Sequence, residues 1–288
     1  MIDTAVTALF VPGDRADRYA KAAASGADLV IIDLEDAVAP AAKETARDSV
    51  VAALRPGGLT ALVRVNAIGS SWSGDDLAAL AALGADHGLT GHGLTGHDAG
   101  GHGPAGHGLA GVVVPKAEDP AFLSEVVAAT GVPVVALLES AAGVAAARDL
   151  AAVPGVARLA FGALDFAYDV GSDVDALTGQ VARAQVVIAS RAADLPGPLE
   201  SPSTDLGDPV RIEQTSRAAR LLGFSGRLCI HPAQLAPVRA GFAPTAGEIA
   251  WARDIVGAGA GVTRIGDQMV DRPVLERARR ILHQARTP

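Results

Sequence analysis

Short runs of apolar residues recur along the 288-residue chain, and stretches with apolar residues at helical spacing separate them. The runs are continuous in hydrophobicity and do not alternate with polar residues, which is typical of strands buried on both faces of a parallel sheet. Eight strands are predicted, at 8–13, 29–36, 61–67, 111–117, 133–140, 157–166, 197–203 and 226–232. The stretches 15–27 and 176–195 predict two of the intervening helices.

Eight strands that alternate with helices in a chain of this length predict a (β/α)8 TIM barrel. A doubly wound open sheet is the alternative, but the first predicted strand is not followed by the G-x-G-x-x-G motif. The seventh strand gives the weakest signal because it is short and interrupted by proline. The chain divides into a barrel over 1–240 and a C-terminal helical extension over 241–288, which would cap the barrel or reach a neighbouring subunit.

Composition narrows the class of protein. Hydrophobic residues make up 49% of the chain, enough for a large core, yet no apolar run approaches the roughly 18 residues that cross a bilayer. The N-terminal stretch lacks the basic region of a signal peptide. A net charge of −8 argues against nucleic-acid binding, and the one cysteine, Cys229, fits a reducing compartment. We therefore expect a cytoplasmic protein without membrane or nucleic-acid partners.

Polar side chains follow the apolar part of five consecutive predicted strands. They are Asp33, Glu35 and Asp36, then Arg64 and Asn66, then Lys116, Glu139 and Asp165. The active sites of (β/α)8 barrels lie at the C-terminal ends of the strands. A structural ion pair explains any one of these charges equally well, but five strands that follow the same rule predict an active site.

Glu139 and Asp165 end adjacent predicted strands, so their carboxylates can converge on one ion. Two carboxylates, with water and substrate as the other ligands, are a typical Mg²⁺ arrangement. The structural alternative is that Glu139 caps the following helix and Asp165 begins a loop. Arg64 would supply a fixed positive charge to a substrate carboxylate or a developing oxyanion. A divalent cation beside an arginine predicts enolate chemistry on an oxoacid, in which a carbon–carbon bond breaks or forms.

Several motifs occur in order across nearly the whole chain: LFVPGDRADRYAKAAASGADLVIIDLEDAV, VRVNA, VVPKAED, ALLES, FGALDFAYDVG and GFSGRLCIHPAQLAPVRAGFAP. Together they resemble the citrate lyase beta subunit branch of the HpcH/HpaI aldolase family. The resemblance implies a magnesium-dependent lyase barrel that acts on acyl-CoA or acyl-carrier thioesters of hydroxy acids. It also implies a homo-oligomer, usually a trimer or hexamer.

The resemblance implies roles for individual positions. Arg64 in VRVN becomes the substrate-binding arginine, and Glu139 in LLES and Asp165 in GALDF become the magnesium ligands, with Glu139 also beside the substrate. Asp36 in DLEDAV is similar to the acidic residue that orients waters on the metal. The tail GDQMVDRPVLERA resembles the C-terminal segment of the family, whose aspartate, Asp271 here, reaches an adjacent subunit and would protonate the thioester enolate.

Three further sets of residues are open to more than one interpretation. Asp271 could equally cap the last helix, and both roles could hold at once. Arg15, Arg18 and Lys21 follow the first strand at the start of a helix, where cations suit the phosphates of CoA, but they equally fit a solvated helical face. Cys229 and His231 lie two apart and allow a thiol mechanism, although a lone cysteine in an apolar strand is more often a core residue.

Histidines occur every five residues from His87 to His107 in a tract that carries eleven glycines and no aromatic residue between Gly84 and Gly111. The tract lies between a helix and the following strand, a connection that opens at the barrel face opposite the active site. Such connections normally run about 2–6 residues. We predict a low-complexity insertion at 85–110, with a peripheral metal-binding tract as the alternative.

The leading hypothesis is a magnesium-dependent carbon–carbon lyase that cleaves a β-hydroxyacyl-CoA of the citramalyl-, malyl- or citryl-CoA type into an oxoacid and an acyl-CoA. One alternative is a metal-dependent aldolase that acts on free hydroxy-oxoacids, which the segment around Asp271 disfavours. The other is a non-catalytic metal-binding scaffold. The joint presence of Arg64, Glu139 and Asp165 argues against it.

Overall fold

Runs of buried apolar residues form a closed parallel barrel in the computed structural model, which describes residues 1–85, 108–257, 263–265 and 268–285. The barrel strands are β1 (Thr7–Pro12), β2 (Leu29–Asp33), β3 (Ala61–Arg64), β4 (Leu109–Val114), β5 (Val134–Leu138), β6 (Val156–Phe161), β7 (Leu199–Glu200) and β8 (Gly226–Cys229). Each strand pairs with its neighbours in chain order, and β8 closes the barrel on β1 with Leu228 opposite Ala8. The predicted (β/α)8 barrel is confirmed.

Helices cover the outside of the barrel and continue beyond it. They are α1 (Tyr19–Ala23), α2 (Lys43–Ala53), α3 (Ser73–Ala85), α4 (Pro120–Thr130), α5 (Ala141–Ala145), α6 (Ala147–Ala151), α7 (Ala163–Asp169), α8 (Leu177–Ala192), α9 (Pro209–Leu222), α10 (Leu235–Phe242), α11 (Ala246–Gly257) and α12 (Arg272–Gln284). Local sequence sets several of the ends. Asp208 caps α9 through a hydrogen bond from Arg211 N, Pro209 occupies its first position, and Gly223 ends it at φ 111°.

Alternation along each strand divides the core into two parts. Ile31 and Leu137 belong to a cluster inside the barrel. Their neighbours Ile32 and Leu138 belong to the larger cluster between the barrel and the helices. Because both faces of each strand are buried, the strands read as continuous apolar runs in the sequence.

Each barrel strand ends before its predicted end, and the polar residues that follow lie in the loops. The prediction of a strand over 157–166 was wrong in its second half, because β6 stops at Phe161 and the chain turns at Gly162. Asp165 therefore lies in the first turn of α7 and not at a strand end. The turn brings Asp165 back over the mouth of the barrel, where the predicted site lies.

The C-terminal arm, residues 246–285, has a small core of its own. Helices α11 and α12 flank an antiparallel pair of strands, β9 (Thr263–Ile265) and β10 (Gln268–Val270). The helices were predicted and the two strands were not. Residues of both helices and of β10 form an apolar cluster apart from the two barrel clusters; its buried members are Ala252, Ile255, Val270, Ala278 and Ile281.

The predicted insertion at 85–110 falls between α3 and β4, and its residues 86–107 lie outside the described part of the chain. Gly108 donates from its backbone N–H to Leu54 O at 2.8 Å and accepts from Ala61 N at 2.9 Å, so the chain enters β4 at the N-terminal end of the barrel. In the described ranges no helix is both long and apolar enough to cross a membrane.

Candidate active site

A cavity of about 780 Å³ opens at the C-terminal ends of the strands. Four of the sequence-predicted site residues line it: Asp36, Arg64, Glu139 and Asp165. They come from the ends of β2, β3 and β5 and from the first turn of α7, which follows β6, so the loops of four different units meet there. This is the position that (β/α)8 barrels use for active sites.

Arg64 is held by a two-point ion pair with Asp33 of the adjacent strand. Its Nε donates to Asp33 Oδ1 at 2.7 Å and its Nη2 donates to Oδ2 at 2.6 Å, and both side chains are buried. The guanidinium lies over the ring of Phe10, with 4.8 Å to the ring centre. Asp33 therefore occupies two of the three guanidinium nitrogens of Arg64. The third nitrogen, Nη1, lies 3.1 Å from Glu35 Oε2 and 3.6 Å from Asp36 Oδ2.

The surroundings keep Arg64 charged. Burial by itself lowers the pKa of the guanidinium, but the hydrogen bonds of Asp33 and the negative charges of Glu35 and Asp36 outweigh burial and raise the pKa well above its usual range. Asp33 is saturated as well, since Oδ1 also accepts from Glu35 N at 2.9 Å and Oδ2 from Ala37 N at 3.1 Å. The β2 loop and Arg64 thus form one rigid unit.

A buried polar layer supports this loop from below. Lys43 Nζ donates to Leu34 O, Glu35 O and Asn66 Oδ1, each at 2.6 Å. Asn66 in turn donates from its backbone N and from Nδ2 to Asp76 Oδ2, at 2.9 Å and 2.6 Å. Asn66, which the sequence placed at the end of the third strand, therefore fixes the loop and does not line the cavity.

Glu139 directly follows β5 and is 4% exposed. Its Oε1 accepts a hydrogen bond from the backbone N of Lys116 at 2.9 Å and lies 3.8 Å from Lys116 Nζ. Burial raises the pKa of Glu139 to about 8, and the nearby charges of Glu35 and Asp165 add to the effect while Lys116 opposes it. This carboxylate therefore lacks sufficient positive charge around it.

Lys116 adopts φ 45°, in the left-handed region that is costly for a residue with a side chain. That backbone conformation aims its N–H at Glu139, while its Nζ pairs with Glu35 Oε1 at 3.1 Å. Glu35, Lys116 and Asp33 were noted in the sequence only as polar residues near strand ends. Their pairing depends on the loop conformations after the strands, which the strand pattern does not encode.

The turn between β6 and α7 fits closely against Glu139. A Cβ atom on Gly162 would lie 2.6 Å from both Cβ and Oε2 of Glu139, so this position has room for glycine alone. Ser201 joins the same turn to β7, because its Oγ donates to Phe161 O and accepts from Ala163 N, each at 2.7 Å. Asp165 is held next to Glu139 by this turn.

The carboxylates of the site outnumber its cations. They are Asp33, Glu35, Asp36, Glu139 and Asp165, against Arg64 and Lys116. Among the described residues no group of three His, Cys, Asp or Glu side chains is arranged to hold an ion. Two hard carboxylate ligands in an acidic cavity, with open positions for water and substrate, fit Mg²⁺ better than a closed transition-metal site.

Four of the sequence-predicted residues do not line the cavity. Arg18 and Lys21 are exposed, and Arg15 pairs with Asp17 at 2.9 Å on the surface. Asp271 caps α12, since its Oδ1 accepts from Val274 N at 3.2 Å. Asp271 therefore has, within its own chain, the helix-capping role that the sequence allowed for it.

The thiol mechanism has no support in the geometry. Cys229 is fully buried in the outer core, and burial raises the pKa of its thiol to about 12. His231 is exposed and caps the turn at Pro232–Gln234, with Nδ1 accepting from Ala233 N at 3.1 Å. Neither residue lines the cavity.

Comparisons with known proteins agree with this architecture. A citrate lyase subunit beta-like protein of Deinococcus radiodurans is 36% identical over 96% of each chain. A (3S)-malyl-CoA thioesterase of Cereibacter sphaeroides is 29% identical, with 96% of this chain and 93% of that protein covered. A crystal structure of CitE from Mycobacterium tuberculosis in complex with magnesium, acetoacetate and coenzyme A superposes with a TM-score of 0.82 at 31% identity, over 99% of each chain.

The family match confirms the resemblance that the motifs carried. The model of the HpcH/HpaI aldolase/citrate lyase family matches residues 7–89 and 102–232, which include every barrel strand. The match is interrupted over 90–101, inside the glycine- and histidine-rich tract. The chain belongs to the HpcH/HpaI aldolase/citrate lyase family.

Proposed function

We propose that this chain is a magnesium-dependent carbon–carbon lyase that cleaves a β-hydroxyacyl-CoA thioester into an oxoacid and an acyl-CoA. The observation that carries the proposal is the buried carboxylate of Glu139, whose pKa is raised to about 8 beside Asp165 in the cavity that also holds Arg64. The ligands of the mycobacterial structure, magnesium, acetoacetate and coenzyme A, support the same class of reaction.

Glu139 and Asp165 are the residues that would hold Mg²⁺, and Asp36 would orient waters around it from the edge of the cavity. The backbone N–H of Lys116 fixes one Glu139 oxygen, and Gly162 leaves room for the other. The chemistry that Mg²⁺ supplies when bound is Lewis-acid polarisation of the oxoacid oxygens.

Arg64 would stabilise the negative charge that develops on the substrate oxygen as the carbon–carbon bond breaks. Because Asp33 occupies Nε and Nη2, the substrate meets the Nη1 edge, after displacing the weaker contacts to Glu35 and Asp36. A guanidinium fixed in this way needs little reorganisation during the reaction, which is the condition for effective electrostatic stabilisation.

Asp271 from a neighbouring subunit would transfer a proton to the thioester enolate. The C-terminal arm supports this role because its apolar core is separate from the barrel core. Exposed apolar side chains on the helices beside the cavity offer a surface for a neighbour; they are Leu164, Tyr168, Leu177 and Val181. We propose a homo-oligomer, a trimer or hexamer as usual in the family, whose sites are completed between subunits.

The phosphates of the CoA thioester would bind at the half-buried Arg15 and the exposed Arg18 and Lys21 after β1. Gly13, whose added Cβ would lie 2.8 Å from Asp33 O, lets this loop pass close to the β2 end and the cavity. An acyl-carrier thioester would present its phosphopantetheine phosphate in the same way. We place the reaction in the cytoplasm, where the single thiol of Cys229 stays reduced.

The test is release of oxoacid from malyl-, citramalyl- and citryl-CoA, with Mg²⁺ and with a chelator. Glu139→Gln keeps the shape of the side chain but removes its charge, so we expect the affinity for Mg²⁺ to fall by more than about tenfold and turnover to fall with it. Glu125→Gln, an exposed glutamate on α4, is the matched control and should behave as wild type.

Turnover that needs Mg²⁺ and selects one of the three thioesters would establish the lyase and its substrate. Turnover of free hydroxy-oxoacids alone would contradict the thioester part of the proposal. Release of CoA without cleavage of the carbon–carbon bond would instead identify a thioesterase, the activity named for the Cereibacter sphaeroides relative.

A further inference from the structure

The cavity extends beyond the mouth of the barrel into a second part, which we call the side lobe. Its lining residues are Arg183, Glu200, Arg211, Thr215 and Arg227. Leu199 and Leu228 face the barrel interior, so the strand residues beside them face outward, toward α8 and α9. The side lobe therefore lies between β7, β8 and these two helices, and it opens into the cavity that contains the proposed metal site.

The short strand β7 explains why the wall is open here. Only Leu199 pairs with β6, opposite Ala160, and β7 contains just two residues. After Glu200 the chain leaves the barrel through Ser203, Thr204 and Asp205, which line the passage. A longer strand would continue the wall between the mouth and the side lobe.

Arg227 is the central residue of the side lobe and is 7% exposed. Its Nη1 donates to Thr215 Oγ1 at 2.9 Å, whereas its Nε is buried and has no hydrogen-bond partner among the described residues. Among the described residues, Arg227 forms no ion pair with a carboxylate. Burial lowers the pKa of Arg227, with Glu200 opposing and Arg183 adding to the effect, so the guanidinium is short of negative charge.

Glu200, the acid opposite Arg227 in the pairing of β7 with β8, has its hydrogen bonds with other groups. Glu200 accepts from Arg183 Nε at 2.8 Å through Oε2 and from Ser201 N at 2.8 Å through Oε1. Arg183 is also fixed over the ring of Phe161, 5.1 Å from the ring centre, and its Nη1 is a second buried donor without a described partner. Glu200 is thus committed to Arg183, so the buried Arg227 and the partly buried Arg183 share one buried carboxylate.

A buried arginine without a counter-ion is costly unless something in the cavity completes its hydrogen bonds. A purely structural buried arginine has its donors satisfied, as Arg158 does by the backbone oxygens of Ile2, Ala5 and Gly197, whereas Arg227 has a buried donor without a described partner and no carboxylate beside it in an ion pair. Arg227 lines the cavity, where the exposed Arg211 of α9 adds a further positive charge at the rim. The positive charge of the side lobe around Arg227 therefore favours the binding of an anion.

We propose that the side lobe is a subsite for a small oxyanion, a carboxylate or a phosphate, which binds at Arg227 between β8 and α9. The anion would pair with the Arg227 guanidinium from the cavity side and add negative charge beside Arg183. Two sources have this chemistry: a further carboxylate of the bound acyl substrate, or a free oxyanion that binds beside it.

The first experiment measures binding without turnover. Wild-type protein is titrated with inorganic phosphate by calorimetry at constant ionic strength, alongside Arg227→Met and the matched control Arg191→Met, an exposed arginine on α8. We expect the affinity for phosphate to fall by about tenfold or more in Arg227→Met and to stay at the wild-type value in the control. Equal affinity in all three proteins overturns the subsite.

A second measurement decides the matter if Arg227→Met does not fold. Crystals of the wild-type protein grown with selenate, an oxyanion with a strong anomalous signal, should show a selenium peak beside Arg227, close enough for a selenate oxygen to accept a hydrogen bond from the guanidinium. A side lobe that contains no such peak while selenate is bound elsewhere overturns the proposal.

Kinetic measurements identify the source of the anion. They rest on the proposed function, whereas the two binding experiments do not. If the substrate supplies it, Arg227→Met raises KM for citryl-CoA, which has an additional carboxylate, and leaves KM for malyl-CoA unchanged. If a free oxyanion supplies it, phosphate alters the turnover of both thioesters alike in the wild type and of neither in the variant. Both results support the subsite, and unchanged kinetics of both thioesters, with and without phosphate, in wild type and variant contradict it.

Discussion

Asp33 determines what Arg64 can do in the site. The two hydrogen bonds from Arg64 to Asp33 are 2.6 Å and 2.7 Å long, and both side chains are buried. A buried ion pair of this kind contributes little net stability, but removing one partner leaves a buried charge unpaired. The pair is therefore better explained as a device that orients the guanidinium toward the cavity.

Asp33→Asn tests that explanation. The amide cannot accept both Arg64 hydrogen bonds and removes the charge, so we expect the free energy of unfolding to fall by about 3 kcal/mol. Because Arg64 would lose its fixed orientation, kcat/KM should fall by about 100-fold. Thermal melts and steady-state rates measure the two effects, with the exposed Asp48→Asn on α2 as control. Full activity in a destabilised variant would mean that the pair is structural only.

Gly162→Ala tests the fit between the β6–α7 turn and Glu139. The added Cβ would lie 2.6 Å from Glu139 Oε2, so either the carboxylate or the turn that carries Asp165 must move. We expect the affinity for Mg²⁺, measured by titration, to fall by about tenfold or more. Gly74→Ala on α3 adds the same atom where nothing lies within 4 Å, and it should leave the affinity unchanged. Unchanged affinity in Gly162→Ala would show that the turn adjusts freely.

Elements were predicted from the sequence better than their ends. Parallel strands buried on both faces give continuous apolar runs, so all eight barrel strands were identified, including the two-residue β7. Their ends were placed too late because the polar residues of the following loops carry no mark that pairing has stopped. Asp165 was therefore assigned to the sixth strand, although it lies in α7. It still lines the cavity.

The contacts between elements could not be predicted from the sequence. Asp33 and Arg64 lie opposite each other in the pairing of β2 with β3, a register that neither segment specifies by itself. The positive φ of Lys116 and the side lobe outside β7 depend likewise on how loops and helices close over the strands. Strands β9 and β10 were missed because three residues each are too short to show a period.

A helix cap and an ion pair at the start of α11 connect the barrel to the C-terminal arm. Thr245 and Glu248 form a capping box at the start of α11, with Thr245 N donating to Glu248 Oε2 at 2.8 Å and Glu248 N to Thr245 Oγ1 at 3.2 Å. Arg220 of α9 donates to both Glu248 oxygens at 2.8 Å. Partial burial raises the pKa of Glu248, but these hydrogen bonds outweigh it and lower the pKa to about 2.

The junction should weaken in acid. A carboxyl whose pKa is lower in the folded state stabilises that state above its ordinary pKa of 4.5, and the contribution disappears as the pH falls toward about 2. After allowance for solvent screening at this partly exposed group, we expect about 1 kcal/mol. The difference in unfolding free energy between wild type and Glu248→Gln, measured from pH 6 down to pH 2, should shrink to near zero. A difference that does not vary with pH would contradict the assignment.

At the scale of the molecule, the candidate site and the point where the chain enters β4 lie at opposite ends of the barrel. The cavity opens at the C-terminal ends of the strands, whereas Gly108 enters β4 at the N-terminal ends, after the histidine tract. The family match omits 90–101. Deletion of these residues, which include His92 and His97, should leave kcat/KM within about twofold of wild type, because it shortens a connection on the opposite face. Steady-state rates check this, and a large loss would place the tract in the function.

A complete site takes Asp271 either from its own chain or from a neighbouring chain. If Asp271 acts in its own chain, a site needs Glu139 and Asp271 from the same polypeptide. If the arm completes a neighbour's site, two inactive variants can restore each other, since symmetric oligomers place the same surfaces together at every interface. Glu139→Gln and Asp271→Ala are each expected to be nearly inactive when pure.

Mixing the two variants distinguishes these cases. After unfolding and co-refolding at equal concentrations, a site between subunits is intact when an Asp271→Ala barrel meets a Glu139→Gln arm, which random assembly gives in about one quarter of sites. We therefore expect about one quarter of wild-type turnover from the mixture and none from either variant refolded alone. Asp254→Ala, an exposed aspartate on α11, should keep full activity and excludes a general effect of the arm. If the mixture stays inactive although its subunits have exchanged, Asp271 does not act across an interface and the arm serves only its own chain.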